Sequence, residues 1–373
     1  MKQTKILFIT RPISPPWDEG SKNLSYNISK HINNFIIYLL SNKKANLSIK
    51  KNIIKEDIYI NNKLSLLNKT ILLNYLLKKN HEIKIFHLFF TPKAITSSII
   101  KKIVQKKNKI IIQNIPSVNS VKTINKNTLI GNTIICLSDY SKNKLNLLGF
   151  NNVKKIYPGI DINKFKQEEK NLTLSKKLNI STDEKIILYP GNFYYQDEIR
   201  MLTNLIKYLK EKNNRFKFIF ACRDRKDFLF NESNLKKKAR AIILKNNLKE
   251  STIFLETICN MKELINLSDI VVFPLYQSSR KLDIPMILLE SMACKKPIII
   301  TDIPPINEIF KKEVGFRIKP KDDNDFFIKT ELLINNKELR DNMGENGRKV
   351  VEKYFDIKNI AQKYNKIYNE FNL

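Results

Sequence analysis

Short apolar runs separated by longer amphipathic stretches recur along this chain of 373 residues, and that alternation restricts its fold more than any other feature. A run such as Ile298 to Ile300 is too short for a helix, and its β-branched side chains suit a strand covered on both faces. Strands of that kind lie parallel, so each needs a crossover helix to return the chain to the same end of the sheet. The first half predicts strands over Lys5 to Thr10, Lys84 to Phe89, Lys109 to Gln113 and Thr133 to Leu137. The second half predicts them over Lys185 to Tyr189, Lys217 to Ala221, Thr252 to Leu255, Ile270 to Pro274 and Ile298 to Ile300. Between two of the early strands, Ala94 to Lys107 carries Ile95, Ile99 and Ile103 on one face and Lys101, Lys102, Lys106 and Lys107 elsewhere, the pattern of an amphipathic helix. Residues 166–182 are polar and contain no clear strand, which places an interdomain linker there.

The length exceeds the usual single domain, so an α/β protein of two domains is the expectation. The boundaries fall at 1–165 and 183–352. The four cysteines, Cys136, Cys222, Cys259 and Cys294, form no CxxC pair and have no His nearby, so they read as reduced core thiols and no metal site is expected. The opening residues offer only Ile6 to Ile9 before Thr10 and Arg11, too short for a signal peptide or a membrane span. A cytoplasmic location follows as the expectation. Charge is unequally shared. Residues 1–165 hold 28 Lys plus Arg against 7 Asp plus Glu, 28 − 7 = +21, out of +31 for the whole chain. That field suits an anionic membrane surface, or lysines that only solvate the exterior. Nucleic acid is disfavoured because no aromatic and basic platform appears.

One carboxylate stands out. Pro285 suits the first turn of a helix, Met286 to Ala293 are mostly apolar, and Pro297 ends the unit before the strand Ile298 to Ile300. Glu290 therefore sits in a largely buried helix, where an ionised carboxylate is costly unless partners satisfy it.

The segment from Lys281 to Asp302 resembles the donor-binding signature of group 1 (family 4) glycosyltransferases, in which a Glu followed eight positions later by a second Glu precedes an A-M-A-x-G-x-P-V run. Further landmarks resemble the family in order. These are the first strand with Pro15 to Gly20, Ile135 to Lys142 as its V-x-V-S-E-Y-S-K element, Tyr157 to Phe165 as its N-G-V-D-x-x-x-F element, and Asp341 to Phe355 near the end. The resemblance implies the GT-B fold, two Rossmann-like domains facing across a cleft. It also implies that 353–373 forms a helix crossing back to the first domain. Ile357, Ile360, Tyr364, Ile367 and Tyr368 suit such a docked helix.

What the resemblance implies for function is a retaining, metal-independent hexosyltransferase with no cofactor. Its donor is a nucleotide-diphosphate sugar and its acceptor a glycan or lipid-linked molecule of envelope polysaccharide or glycolipid synthesis. Glu290 takes the place of the second signature Glu, which holds sugar-nucleotide hydroxyls, and His87 that of an active-site His; these are the catalytic candidates. Gly20 and Gly191 belong to the two strand-to-helix loops that offer backbone N–H groups to phosphate. Pro285 and Met286 complete the donor loop. This chain departs from the family where Asn192 and Asp197 replace an Arg and a Lys that grip the diphosphate. Arg223, Arg225, Lys226, Arg280 and Lys281 are the cations placed to compensate. The first signature Glu falls on Leu282, with Asp283 as a shifted substitute, and Pro304 and Pro305 replace a Gly pair before Glu308. The departures keep two alternatives open: another GT-B enzyme such as a sugar-nucleotide epimerase, and a binding protein without turnover.

Overall fold

The computed structural model describes residues 3–15, 17, 19–104, 109–193, 196–222, 226–227, 230–255, 260–276 and 282–371, with the backbone alone for 226–227 and 230–233. The chain divides into two compact units. One comprises Met1–Asp161, Ser279–Met286 and Tyr354–Leu373; the other comprises Ile162–Ser278 and Ile287–Lys353. The visit of Ser279–Met286 to the first unit has no signature in composition or periodicity.

The first unit is built on strands β1 (Lys5–Ile9), β2 (Ile36–Asn42), β3 (Ile53–Tyr59), β4 (Ile85–Phe89), β5 (Ile110–Ile115), β6 (Thr133–Cys136) and β7 (Val153–Lys155). They form one sheet in the order β3-β2-β1-β4-β5-β6-β7. Every pairing is parallel, with Ile6 of β1 opposite Ile37 on one side and Ile85 on the other. The helices are α1 (Gly20–Ser29), α2 (Leu66–Lys79), α3 (Ala94–Val104) and α4 (Asp139–Leu147). Each of α1, α2 and α4 begins at a side-chain cap: Glu19, Ser65 and Ser138 accept from the backbone N–H three residues on, satisfying a donor the helix leaves open. β2, β3 and β7 were not predicted. β3 lies at the sheet edge with mixed exposure and includes Lys55, Glu56 and Asp57, so it lacks the unbroken apolar run of a central strand.

The second unit holds α5 (Leu172–Lys177), β8 (Lys185–Tyr189), α6 (Gln196–Glu211), β9 (Phe216–Ala221), a two-stranded pair β10 (Lys226–Asp227) and β11 (Phe230–Asn231), and α7 (Glu232–Lys245). It continues with β12 (Thr252–Leu255), α8 (Met261–Leu267), β13 (Ile270–Phe273), α9 (Met286–Ala293), β14 (Ile298–Thr301), β15 (Gly315–Ile318), α10 (Asp323–Asn335) and α11 (Lys337–Tyr354). Its parallel sheet runs β12-β9-β8-β13-β14-β15. Phe218, Phe220, Leu202, Ile206 and Phe326 pack one buried core on it. Gly315 has φ +149°, and a Cβ there would run into the Ile298 carbonyl oxygen, so this strand start accepts only glycine.

The last helix, α12 (Ile357–Asn369), returns to the first unit. Ile357, Ile360, Tyr364, Ile367 and Tyr368 are all buried, and α12 packs on α1. Gly159 permits the approach, since a Cβ would meet the Ile357 Cα at 2.9 Å.

Candidate functional site

Glu290 lies in the middle of α9, whose neighbours Leu288, Leu289, Met292 and Ala293 are completely buried. Its own side chain is half-buried. Removal from water pushes the Glu290 carboxyl up to about 7, against the opposing pull of the Lys164 ammonium. A carboxyl that titrates near neutrality suits hydroxyl binding in either state: ionised it accepts two hydrogen bonds, protonated it donates one as well.

The helix is held at its far end. Lys295 takes φ +56° and the Lys296 N–H returns to the Ser291 carbonyl, closing the C-terminus. The Arg348 Nη1 donates to the carbonyls of Ala293 (3.1 Å), Phe165 (2.9 Å) and Ile162 (3.1 Å), which ties the end of α9 to the segment carrying Lys164. At Gly344 a Cβ would collide with the Lys295 carbonyl, so α11 can lie against this turn only with glycine there. Neither Arg348 nor Gly344 was predicted as part of the site, because their roles depend on which helix passes beside α9.

The loop after β8 has a less accommodating character. Gly191 folds over the Tyr189 ring so closely that a Cβ would overlap it. The Tyr189 hydroxyl donates to Glu198 Oε2 at 3.1 Å and lies 3.3 Å from the Asn192 carbonyl oxygen. In the first turn of α6, Glu198 is buried and Asp197 is exposed and pairs with Arg200 at 3.4 Å. The first turn of α6 thus carries two carboxylates, Asp197 and Glu198. Arg200, one turn further, is a cation that sequence reasoning missed. Hydrogen bonding to Tyr276 is the largest of the effects raising its pKa. With Lys238 of α7 it lines a hollow of about 280 Å³ beside Phe193 and Gln196. Arg223, Arg225, Arg280 and Lys281 lie outside the described residues, and so does the side chain of Lys226.

In the first unit, Gly20 is the first residue of α1, and a Cβ there would touch Leu282 Cδ2 at 3.1 Å. Met286 is buried and Pro285 half-buried at the start of α9. Asp283 is buried; its Oδ2 accepts from the hydroxyls of Ser138 (2.5 Å) and Ser141 (2.6 Å), and its N–H donates to the Pro116 carbonyl at 2.9 Å.

His87 differs most from expectation. It is completely buried in β4, with Nε2 2.8 Å from Asn114 Oδ1 and Nδ1 2.7 Å from the Tyr368 hydroxyl. Asn114 Nδ2 in turn donates to the Tyr364 hydroxyl at 2.8 Å. The amide oxygen needs a donor, so Nε2 carries the proton and Nδ1 accepts from Tyr368. Burial holds His87 down at about 3, so the ring is neutral. With both nitrogens bound inside the core, it is a structural hub of β4, β5 and α12 and is not open to a sugar. Gln113 is likewise structural, accepting from the N–H groups of Ile130 and Gly131.

Residues 170–350 match the family model of glycosyl transferases group 1. That stretch contains Glu290, α9 and Arg348, so the resemblance seen in the signature extends over the unit that holds them. The chain is 28% identical over 239 residues to an uncharacterised glycosyltransferase of Methanocaldococcus jannaschii, covering 64% of this chain and 59% of that one. It is 25% identical over 231 residues to the capsular polysaccharide biosynthesis glycosyltransferase CapM of Staphylococcus aureus, covering 62% and 56%. The chain therefore spans a little over half the length of these curated relatives. Among solved structures, the Anabaena HepE protein in complex with UDP-glucose superposes with a TM-score of 0.75 at 17% identity over 99% of this chain and 100% of that chain. The two Rossmann-like halves are those of the GT-B fold. Among the described residues no helix is long and apolar enough to cross a membrane.

Proposed function

We propose that this protein transfers a sugar from a nucleotide-diphosphate sugar to a glycan or lipid-linked acceptor in envelope polysaccharide or glycolipid synthesis, with retention of configuration and without a metal. The observation that carries the reading is Glu290, a carboxyl pushed up to about 7 on a helix locked by Arg348, within the segment that matches group 1 glycosyl transferases. The name of CapM supports polysaccharide synthesis, and the UDP-glucose bound to HepE supports a nucleotide sugar as donor. Glu290 holds donor hydroxyls, Pro285 and Met286 shape the loop before it, and Gly20 and Gly191 bring backbone N–H groups toward phosphate. Leaving-group charge needs cations to stabilise it. Arg200 and Lys238 join Arg223, Lys226, Arg280 and Lys281 as the side chains that supply them.

A thermal-shift screen against UDP-, GDP- and ADP-sugars tests the reading. A donor that stabilises the wild type but not Glu290→Ala supports it. Stabilisation of both alike overturns the role of Glu290. A second reading, donor binding without turnover, is favoured by Asp197 and Glu198 at the start of α6. Tight donor binding with neither transfer nor hydrolysis of the donor across a panel of acceptors would establish it.

A further inference from the structure

We propose that the outer layer formed by α2 and α3 docks this protein reversibly on an anionic phospholipid surface. The two helices cover the same side of the first sheet: Leu72, Tyr75 and Leu76 of α2 and Ile100, Ile103 and Val104 of α3 share one core cluster with Leu7, Tyr38 and Phe86. Asn80 just after α2 donates to the Ile103 carbonyl at 2.6 Å, which binds their C-terminal ends together. The sides turned away from that core carry large apolar residues among the polar ones. Leu66, Leu67 and Leu77 of α2 are 80%, 59% and 62% exposed, and Ile95 and Ile99 of α3 are 78% and 37% exposed. Leaving five large apolar side chains in water on adjacent helices is a pattern that marks an interaction surface.

Charge selects the partner. Neither helix contains an acidic residue, and from Ser65 to Val104 the chain holds one acid, Glu82. Glu82 is engaged by Lys5 at 3.4 Å and Lys79 at 3.3 Å. Asp57 at the flanking sheet edge pairs with Lys55 at 3.0 Å. The exposed Lys69, Lys78, Lys93 and Lys102 therefore border the apolar residues with no acid of α2 or α3 between them. Apolar side chains at the centre and lysines around them are what a helix lying in the interface of an anionic bilayer presents. A nucleic acid would draw on the lysines but leave the leucines in water. Lys101 and Lys102 contribute from α3, and Lys106 and Lys107 lie outside the described residues.

The proposal does not depend on the chain being a transferase, so its test reads binding alone. Full-length protein is sedimented with vesicles of phosphatidylcholine and with equimolar phosphatidylcholine and phosphatidylglycerol. Binding to the anionic vesicles at low salt and not to the neutral ones is expected. Lys69→Gln, Lys78→Gln and Lys102→Gln combined should weaken it about a hundred-fold. Leu66→Ser, Leu67→Ser and Leu77→Ser combined should weaken it at least about ten-fold while leaving the melting temperature near that of wild type. Loss of sensitivity to the leucines but not the lysines overturns the docking layer in favour of a diffuse field. Equal binding to both vesicles, no binding to either, association of two copies that buries the layer, or duplex DNA binding stronger than vesicle binding overturns it as well.

Discussion

The Asp283 carboxylate lies 2.6 Å from the Ser141 hydroxyl, and the same oxygen receives the Ser138 hydroxyl at 2.5 Å. Ser138 is the N-cap of α4 and accepts from the Ser141 N–H, so the acid closes a compact polar knot at the positive end of that helix. Asp283 thereby fastens its own loop to α4 within the first unit.

Asp283→Ala should accordingly destabilise the first unit by about 3 kcal/mol, because a buried knot of hydroxyls loses its charged acceptor. Asp283→Asn should cost less. Urea unfolding of both variants checks this, and an unchanged midpoint for the alanine variant would remove the knot from the structure's account.

Glu290 should make stability fall as pH rises. Its carboxyl is raised from 4.5 to about 7, so the folded state holds its proton more tightly than the unfolded chain. The associated stability is complete below about pH 4.5 and is lost as pH rises through 7. Glu290→Gln removes this dependence. The variant should gain up to about 3 kcal/mol relative to wild type at pH 8 and little at pH 4.5, while losing donor binding. Melting curves at the two pH values, with and without the donor found in the screen, separate these effects.

His87 has the opposite sign. Its pKa falls from 6.5 unfolded to about 3 folded, so the unfolded chain takes up the proton first. Full stability holds above about pH 6.5 and erodes as pH drops toward 3. His87→Leu should lower stability at pH 7 by about 1–3 kcal/mol, since Asn114 and Tyr368 lose a buried partner. It should also flatten the decline between pH 6.5 and 4. Hydrolysis or transfer by His87→Leu at an unaltered rate would agree with the structural role; a proton-dependent loss of turnover with unchanged stability would contradict it.

Arg348→Ala should loosen α9 without touching a ligand. Three carbonyls lose one charged donor, which costs about 2–3 kcal/mol. Because Glu290 rides on that helix, donor affinity should fall as well. Arg348→Lys cannot reach three acceptors and should recover little of either. Amide hydrogen exchange over Ile287 to Cys294 reports the loosening directly.

Periodicity carried the architecture. A continuous run such as Ile298 to Ile300 suits a strand buried on both faces, and the spacing of Ile357, Ile360, Tyr364 and Ile367 suits a helix that buries one face; both are local patterns. The resemblance of the segment around Glu290 to group 1 glycosyltransferases was legible for the same reason: its residues are contiguous. What lay outside local pattern was decided by packing. The partner of His87 is Tyr368, 281 positions away, and that of Asp283 is Ser141, 142 positions away. A histidine at a strand end looks alike in the sequence whether a helix later covers it or a ligand does. Desolvation by distant segments made His87 a neutral core residue and raised Glu290 toward neutrality, because the cost of a charge depends on what surrounds it in space and not on its neighbours along the chain.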